Sequence, residues 1–203
     1  VNVFVETNYV LELALEQEES SICEKLLKYG RTNAIRLLLP AYSLIEPHET
    51  LTRRRLDRDA LRTRVEAELT QMGRSSYLAE RVGASRELVQ LLTDSAEFET
   101  EHIEKAKERI WSVAEVLPLN HEVLRNAAHY REKFEFSPQD AVVYASIRAR
   151  LAVDHGSTSC FVSRNPADFE TRRVRRDLAT FNCKYFASFE IALQYIEHTL
   201  KLH

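Results

Sequence analysis

Val3-Phe4-Val5-Glu6-Thr7-Asn8 is a short apolar run that ends in a carboxylate and passes at once to two small polar residues. Far downstream, Ser159-Cys160-Phe161-Val162-Ser163-Arg164-Asn165-Pro166-Ala167-Asp168-Phe169 repeats that grammar. Val3 to Val5 reads as a buried strand and Cys160 to Ser163 as another. Residues just past the carboxyl ends of parallel strands converge on one crevice, where α/β proteins bind their ligands. Glu6 and Asp168 are therefore expected at a common site.

Working outward, Val10, Leu13, Ala14, Ile22, Leu26 and Leu27 recur at helical spacing, which predicts one helix from about Tyr9 to Tyr29, stopped by Gly30. Ile35 to Leu39 is a second strand, closed by Pro40, and a helix carrying Leu51 starts near Ser43 or Pro47. From Arg53 to about Ala114 there is no strand signal. Leu61, Val65, Leu69 and Met72 form one apolar stripe there, and Phe98, Ile103, Ala106, Ile110 and Val113 form another, with breaks at Gly73 to Ser76 and Gly83 to Ser85. A third strand follows at Val116 to Leu119, then helices over Glu122 to Lys133 and from Ser137 to about Gly156. Lys184 to Ala187 is the fifth strand and Phe189 to Leu202 a closing helix. Strands alternating with helices imply an α/β fold, a parallel central sheet of about five strands flanked by helices. The expected organisation is one domain over residues 1–203, with a helical hairpin inserted at about 53–114.

The 203 residues suffice for a substantial core, and 44% apolar with 29% charged residues is ordinary for a soluble protein. A net charge of -3 excludes a uniformly basic nucleic-acid coat but leaves room for a local basic patch. No apolar run approaches the ~20 residues of a membrane span, and no signal-peptide pattern is found. Cys23, Cys160 and Cys183 have neither zinc-type spacing nor an evident pairing, so a cytoplasmic location is expected. There is no Gly-x-Ser-x-Gly elbow and no phosphate-binding glycine-rich loop. The histidines at 48, 102, 121, 129, 155, 198 and 203 are scattered, and each reads as a surface or packing residue.

Four acids stand out: Glu6, Glu46, Asp140 and Asp168. Ser43-Leu44-Ile45-Glu46, Ser137-Pro138-Gln139-Asp140 and Asn165-Pro166-Ala167-Asp168 each have the form of a capping box, so each acid alone has a structural explanation. Glu6 ends a strand and has none of that kind. Taken together, helix N-termini that follow parallel strands lie along one sheet edge. Two carboxylates ~5 Å apart repel by about 3 kcal/mol at an effective dielectric near 20. Several such pairs call for a cation between them or for raised pKa values. Oxygen ligands without neighbouring His or Cys select Mg²⁺ or Mn²⁺ over Zn²⁺.

In Phe4-Val5-Glu6-Thr7-Asn8, in Leu39-Pro40 leading to Glu46, in Phe136-Ser137-Pro138-Gln139-Asp140-Ala141 and in Phe161 to Phe169, the chain resembles the PIN-domain nucleases. The four motifs occur in the family's order, within about residues 1–52 and 115–190; the middle insertion has no counterpart in compact members such as VapC-type toxins. The resemblance implies a three-layer α/β/α fold with Glu6, Glu46, Asp140 and Asp168 as metal-binding, catalytic acids. Thr7, Asn8, Ser163 and Asn165 then fall at small polar positions that orient those acids. Two departures stand out. Glu6 occupies a position that is normally Asp, which displaces a bound metal by about 1 Å on ordinary bond lengths, and Asn165 lies where some members place a further Asp.

The implied activity is Mg²⁺- or Mn²⁺-dependent hydrolysis of RNA, as a toxin or as an RNA-processing or defence enzyme. Two rivals stay open, a catalytically weak module binding RNA or protein, and a nuclease acting on DNA. Arg54, Arg58 and Arg62 share a helical ridge, and Arg164, Arg172 and Arg173 cluster beside Asp168; both groups are candidates for the RNA backbone, the former equally readable as internal ion pairs. The acidic insertion is open to dimerisation or to docking of a protein partner such as an antitoxin.

Overall fold

Phe4, Leu38 and Phe161 point into one apolar core, while Val3, Val5, Leu37, Leu39, Cys160 and Val162 point into another. Because neighbouring side chains on a strand leave on opposite faces, strands apolar at every position must be covered on both sides. The computed structural model describes residues 1–154 and 156–201 and meets that demand with three layers. Leu202, the expected end of the last helix, and the histidines at 155 and 203 lie outside the described residues.

The strands are β1 (Asn2–Phe4), β2 (Arg36–Pro40), β3 (Glu115–Leu117), β4 (Ser159–Val162) and β5 (Cys183–Phe186). All pairings are parallel, in the order β3-β2-β1-β4-β5. The chain builds one half of the sheet outward from β1 and then crosses to build the other, so the switch in direction falls between β1 and β4. One face is covered by α1 (Thr7–Ala14), α2 (Ser20–Arg31), the root of a long hairpin and a closing helix; these contribute Tyr9, Leu26, Ile103, Ile110 and Phe189 to the core. The hairpin consists of α3 (Glu46–Met72) and α4 (Ala79–Trp111). The opposite face carries α5 (His121–Phe134), α6 (Pro138–Val153), α7 (Pro166–Phe169) and α8 (Arg172–Ala179), and the chain ends on α9 (Phe189–Leu200). No helix among the described residues is long and apolar enough to cross a membrane.

Several local expectations are corrected. The helix predicted over Tyr9 to Tyr29 is two helices. Glu12, only 1% exposed, accepts the Glu19 N–H at 2.8 Å and so folds the chain around its own carboxylate, with Glu16 at φ 49°. Gly30 does not stop α2, which runs on to Arg31. It is instead a point of close approach, because a Cβ there would lie 2.7 Å from Val113 Cγ1. Gly83 does not break α4, and its missing side chain faces open space. Strands β1, β4 and β5 each begin one residue earlier than predicted. Asn2 and Ser159 are polar yet buried, held by Asp154 at 3.3 Å and by the Ser157 carbonyl at 3.1 Å, so apolarity alone misplaces the strand start.

In the hairpin only the roots are buried, through Pro47 and Leu51 on α3 and Glu99, Ile103, Ala106, Lys107 and Ile110 on α4. Of the two predicted stripes, Val65 and Leu69 turn towards α4, whereas Leu61, Met72 and Phe98 are exposed. A 33-residue helix is roughly 50 Å long, so the distal half extends past any core.

Gly30→Ala is expected to lower stability by about 1–2 kcal/mol through overpacking against the stiff valine, and Val113→Ala in the same chain should recover most of it. Denaturant midpoints of the two single variants and the double variant measure this; additive losses would contradict the contact.

Candidate active site

Glu6 leaves β1 directly and is buried at the start of α1. The Asn8 N–H donates to Glu6 Oε2 at 3.0 Å, and Asn8 Nδ2 donates to Oε1 at 2.7 Å. Glu6 is thus the N-cap of α1, a role its place at a strand end had hidden. Burial pushes its pKa up to about 7, only partly offset by hydrogen bonds from Asn8 and Ser163, and the neighbouring Glu46 adds to the rise.

Glu46 is the first residue of α3, reached from β2 through the 3₁₀ turn Ala41–Leu44. The Thr7 hydroxyl donates to its Oε2. The capping box read from Ser43 to Glu46 is not formed. Ser43 lies inside the 3₁₀ turn, fully buried, and its hydroxyl has no hydrogen-bond partner among the described residues. Burial raises the Glu46 pKa, with Asp140 and Glu49 contributing.

Asp140 sits in the first turn of α6. Ser137 caps that helix by accepting the Asp140 N–H at 3.1 Å, and its hydroxyl donates to Asp140 Oδ2. Burial again raises this carboxyl's pKa, and Asp168 raises it further. Asp168 lies on α7. Asn165, at the cap position, makes no cap bond with its side chain. Its Nδ2 reaches Asp168 Oδ2 at 2.7 Å and Asp140 Oδ1 at 3.3 Å, bridging the two acids. The Asn165 N–H donates to Ser163 Oγ at 3.0 Å, which ties this turn to the end of β4.

The four acids therefore form an electrostatic chain. Glu6 senses Glu46, Glu46 senses Asp140, and Asp140 senses Asp168. Polar side chains brace all four, and Glu46 Oε1 and Asp168 Oδ1 are left without a hydrogen bond among the described residues. Also among the described residues, no three acidic, histidine or cysteine side chains already form a closed metal-ligand set. The donor chemistry nevertheless suits a hard divalent cation, being oxygen only and uncompensated by an adjacent base.

The arginines divide. Arg54, Arg58 and Arg62 lie on the ridge of α3 that turns towards α4. Arg58 grips Glu99 with two bonds of 2.7 and 2.8 Å, and Arg62 pairs with Glu66 at 3.0 Å and Asp59 at 3.7 Å. Arg164 pairs with the buried Glu12 and with Glu18 at 3.0 Å, and Glu19 lies 3.8 Å away. Glu19 in turn accepts from Ser188 Oγ at 2.7 Å and from the Glu190 N–H at 3.1 Å at the start of α9. The sequence gives no sign of this network, because Glu12 lies inside α1 and Glu19 at the turn before α2, neither within a recognisable motif. Arg172 and Arg173 remain exposed, the latter only loosely near Glu135 at 3.8 Å.

The sheet is all-parallel, and the acids lie at its carboxyl edge beside the switch between β1 and β4, the place where open α/β sheets generally bind their ligands. A family model described as PIN domain matches residues 3–169, most of the chain, and the chain belongs to that family. PIN domains are generally nucleases and typically use divalent metal ions. No curated protein and no solved structure matches the chain.

Two outcomes are expected. In chelator, the folded protein holds a proton on Glu6 between about pH 4.5 and 7, where the unfolded chain has released it. Stability thus falls as pH rises through that window, by on the order of 3 kcal/mol. Glu46 and Asp140 act in the same direction, so the difference between wild type and Glu6→Gln in melting at pH 5 and 8 isolates Glu6. An unchanged pH slope in Glu6→Gln would contradict its burial. Second, Glu12→Gln should lower stability by about 2 kcal/mol by weakening the partly buried pair with Arg164, whereas Arg172→Ala should be neutral; denaturant unfolding reads both.

Proposed function

We propose that the chain is a metal-dependent endoribonuclease in which Glu6, Glu46, Asp140 and Asp168 hold Mg²⁺ or Mn²⁺. The observation that carries this reading is the coupled, uncompensated line of carboxylates at the carboxyl edge of the sheet. A divalent cation, when bound, supplies an activated water and stabilises charge on the phosphoryl oxygens. The chain's own groups do the remaining work. Thr7 fixes Glu46 through Oε2, Ser137 fixes Asp140 through Oδ2, and Asn165 fixes Asp168 through Oδ2. These bonds orient the carboxylates before any ligand arrives, as supporting partners do around metal ligands. Asn8 and Ser163 hold Glu6, and a cation there takes the place of the proton that burial favours.

Exposed Arg172 and Arg173, close in sequence to Asp168, are the arginines best placed for phosphate contact. Arg54, Arg58, Arg62 and Arg164 would reach it only by giving up their present surroundings. RNA as substrate, a cytoplasmic setting and a toxin, processing or defence role rest on the resemblance to nucleases of this kind; a toxin would be matched by an antitoxin. The second reading, a weakly catalytic RNA- or protein-binding module, is favoured by one observation. Both Glu6 oxygens already accept hydrogen bonds from Asn8.

Incubation of the protein with single-stranded RNA and Mn²⁺ separates the readings. Wild type should cleave, Asp140→Asn should not, and Asn165→Ala should be slower by about 10–100-fold. Equal cleavage by wild type and Asp140→Asn would refute the site. Absence of cleavage, with no Mn²⁺ binding by calorimetry at millimolar concentration, would support the second reading.

A further inference from the structure

Between α5 and α6, towards the end of α6 away from Asp140, lies a cavity of about 450 Å³. Arg150 and Asp140 are roughly 15 Å apart along the helix axis, so the cavity is separate from the acids. Small residues leave it open. Its α6 side is built from Ser146, Ala149 and Ala152, too short to reach across to Val123 and Asn126 on α5. At 100° per residue, Arg148 and Arg150 leave the helix on either side of Ala149. The Arg148 guanidinium lies over Phe181, 3.8 Å from the ring centre, and its side chain is only 14% exposed. Asp177 Oδ2 is 2.6 Å from its Nε but not aligned for a hydrogen bond. Asp177 already accepts from Lys133 at 3.0 Å and from the Tyr144 hydroxyl at 2.8 Å. Among the described residues, Nη1 and Nη2 of Arg148 make no hydrogen bond, nor do the side chain of Asn126 and the hydroxyl of Tyr130 on the same cavity. Arg150 donates Nε to Asp154 and Nη1 to Glu115, which leaves its Nη2 unused.

We propose that this cavity is a binding site for a nucleoside monophosphate. Charge supports it. Two cations, Arg148 and Lys133, share the one carboxylate of Asp177. A largely buried guanidinium with unmade hydrogen bonds is costly to keep, and an anion that accepts them removes the cost. The paired N–H donors of a guanidinium match phosphate oxygens in spacing and plane. Shape supports it as well. Leu117, Val123, Ala149 and Val153 offer an apolar slot to a flat ring, and Asn126 offers both a donor and an acceptor to the edge of a base. The volume is within the ordinary range of small-molecule sites. Glu122, exposed on the rim and without an ion-pair partner among the described residues, disfavours a longer phosphate chain.

Calorimetric titration of the whole chain with AMP, GMP, CMP and UMP in chelator tests this, because without a divalent ion the four clustered carboxylates repel a phosphate. Wild type should bind at least one of them in a single site, with a Kd on the order of 0.1 mM. The matching nucleoside, which lacks the phosphate, should bind at least about tenfold more weakly. Asp140→Asn should bind the nucleotide as wild type does. Arg148→Gln should weaken binding roughly 10–100-fold, and Ala149→Leu, which fills the cavity without touching a charge, should abolish it. The comparison of nucleotide with nucleoside needs only wild type, and decides the matter if either cavity variant loses helicity by circular dichroism. Four results would each overturn the proposal: no uptake of any of the four by wild type at about 5 mM, a nucleoside that binds as tightly as its monophosphate, loss of binding in Asp140→Asn, or a folded Ala149→Leu that binds as wild type.

Discussion

A carboxylate buried at the end of the central strand is the constraint around which this molecule is arranged. Glu6 sits where β1, the middle strand of the sheet, delivers the chain to the carboxyl edge. Parallel pairing brings the exits of β2 and β4 to the same edge, and with them Glu46 and Asp168. Like charges gathered in this way disfavour the folded state unless protons or a cation offset them. The structure answers with Asn8, Thr7, Ser137, Ser163 and Asn165, each bonded to an acid or to the turn that carries one. The remaining imbalance is what a divalent ion would relieve.

Around that edge the chain uses charge differently. Arg164 is next in sequence to the turn that carries Asp168, yet Glu12, Glu18 and Glu19 surround it, and its role is to clasp the α1–α2 turn to the end of β4. Arg58 does the same within the hairpin by holding Glu99. Cations held in ion pairs and cations left exposed are distinct groups here, and partner distances separate them where sequence spacing does not. The hairpin shows a related economy: its root joins the core beside α1, while its distal half relies on α3–α4 contacts alone.

The parallel sheet and its five strands were legible in the sequence because the strands are short and largely apolar, and Glu6, Glu46 and Asp168 each follow one at a short interval, whereas Asp140 follows α5 and was found through Ser137-Pro138 before it. Less legible were features that depend on a single buried polar contact. Glu12 splits a helix whose apolar spacing is continuous. Asn2 and Ser159 are strand residues disguised as loop. Gly30 looks like a helix stop and is instead a contact point for Val113. At the site, all three capping boxes looked alike. Only Ser137 caps through its side chain, whereas Ser43 is engulfed in a 3₁₀ turn and Asn165 turns its amide to the acids. Glu6, read as a strand end without a capping role, proved to be a cap. Such distinctions depend on where a side chain's second partner lies, which local pattern does not encode.

Whether Glu6, Glu46, Asp140 and Asp168 share one divalent ion is read out by anomalous scattering from crystals soaked in Mn²⁺. An anomalous peak is expected at the carboxyl edge of the sheet, within bonding distance of Asp140 and Asp168 and reached by Glu46 or Glu6. A well-soaked crystal with no peak there, or with manganese bound only elsewhere on the surface, would contradict it.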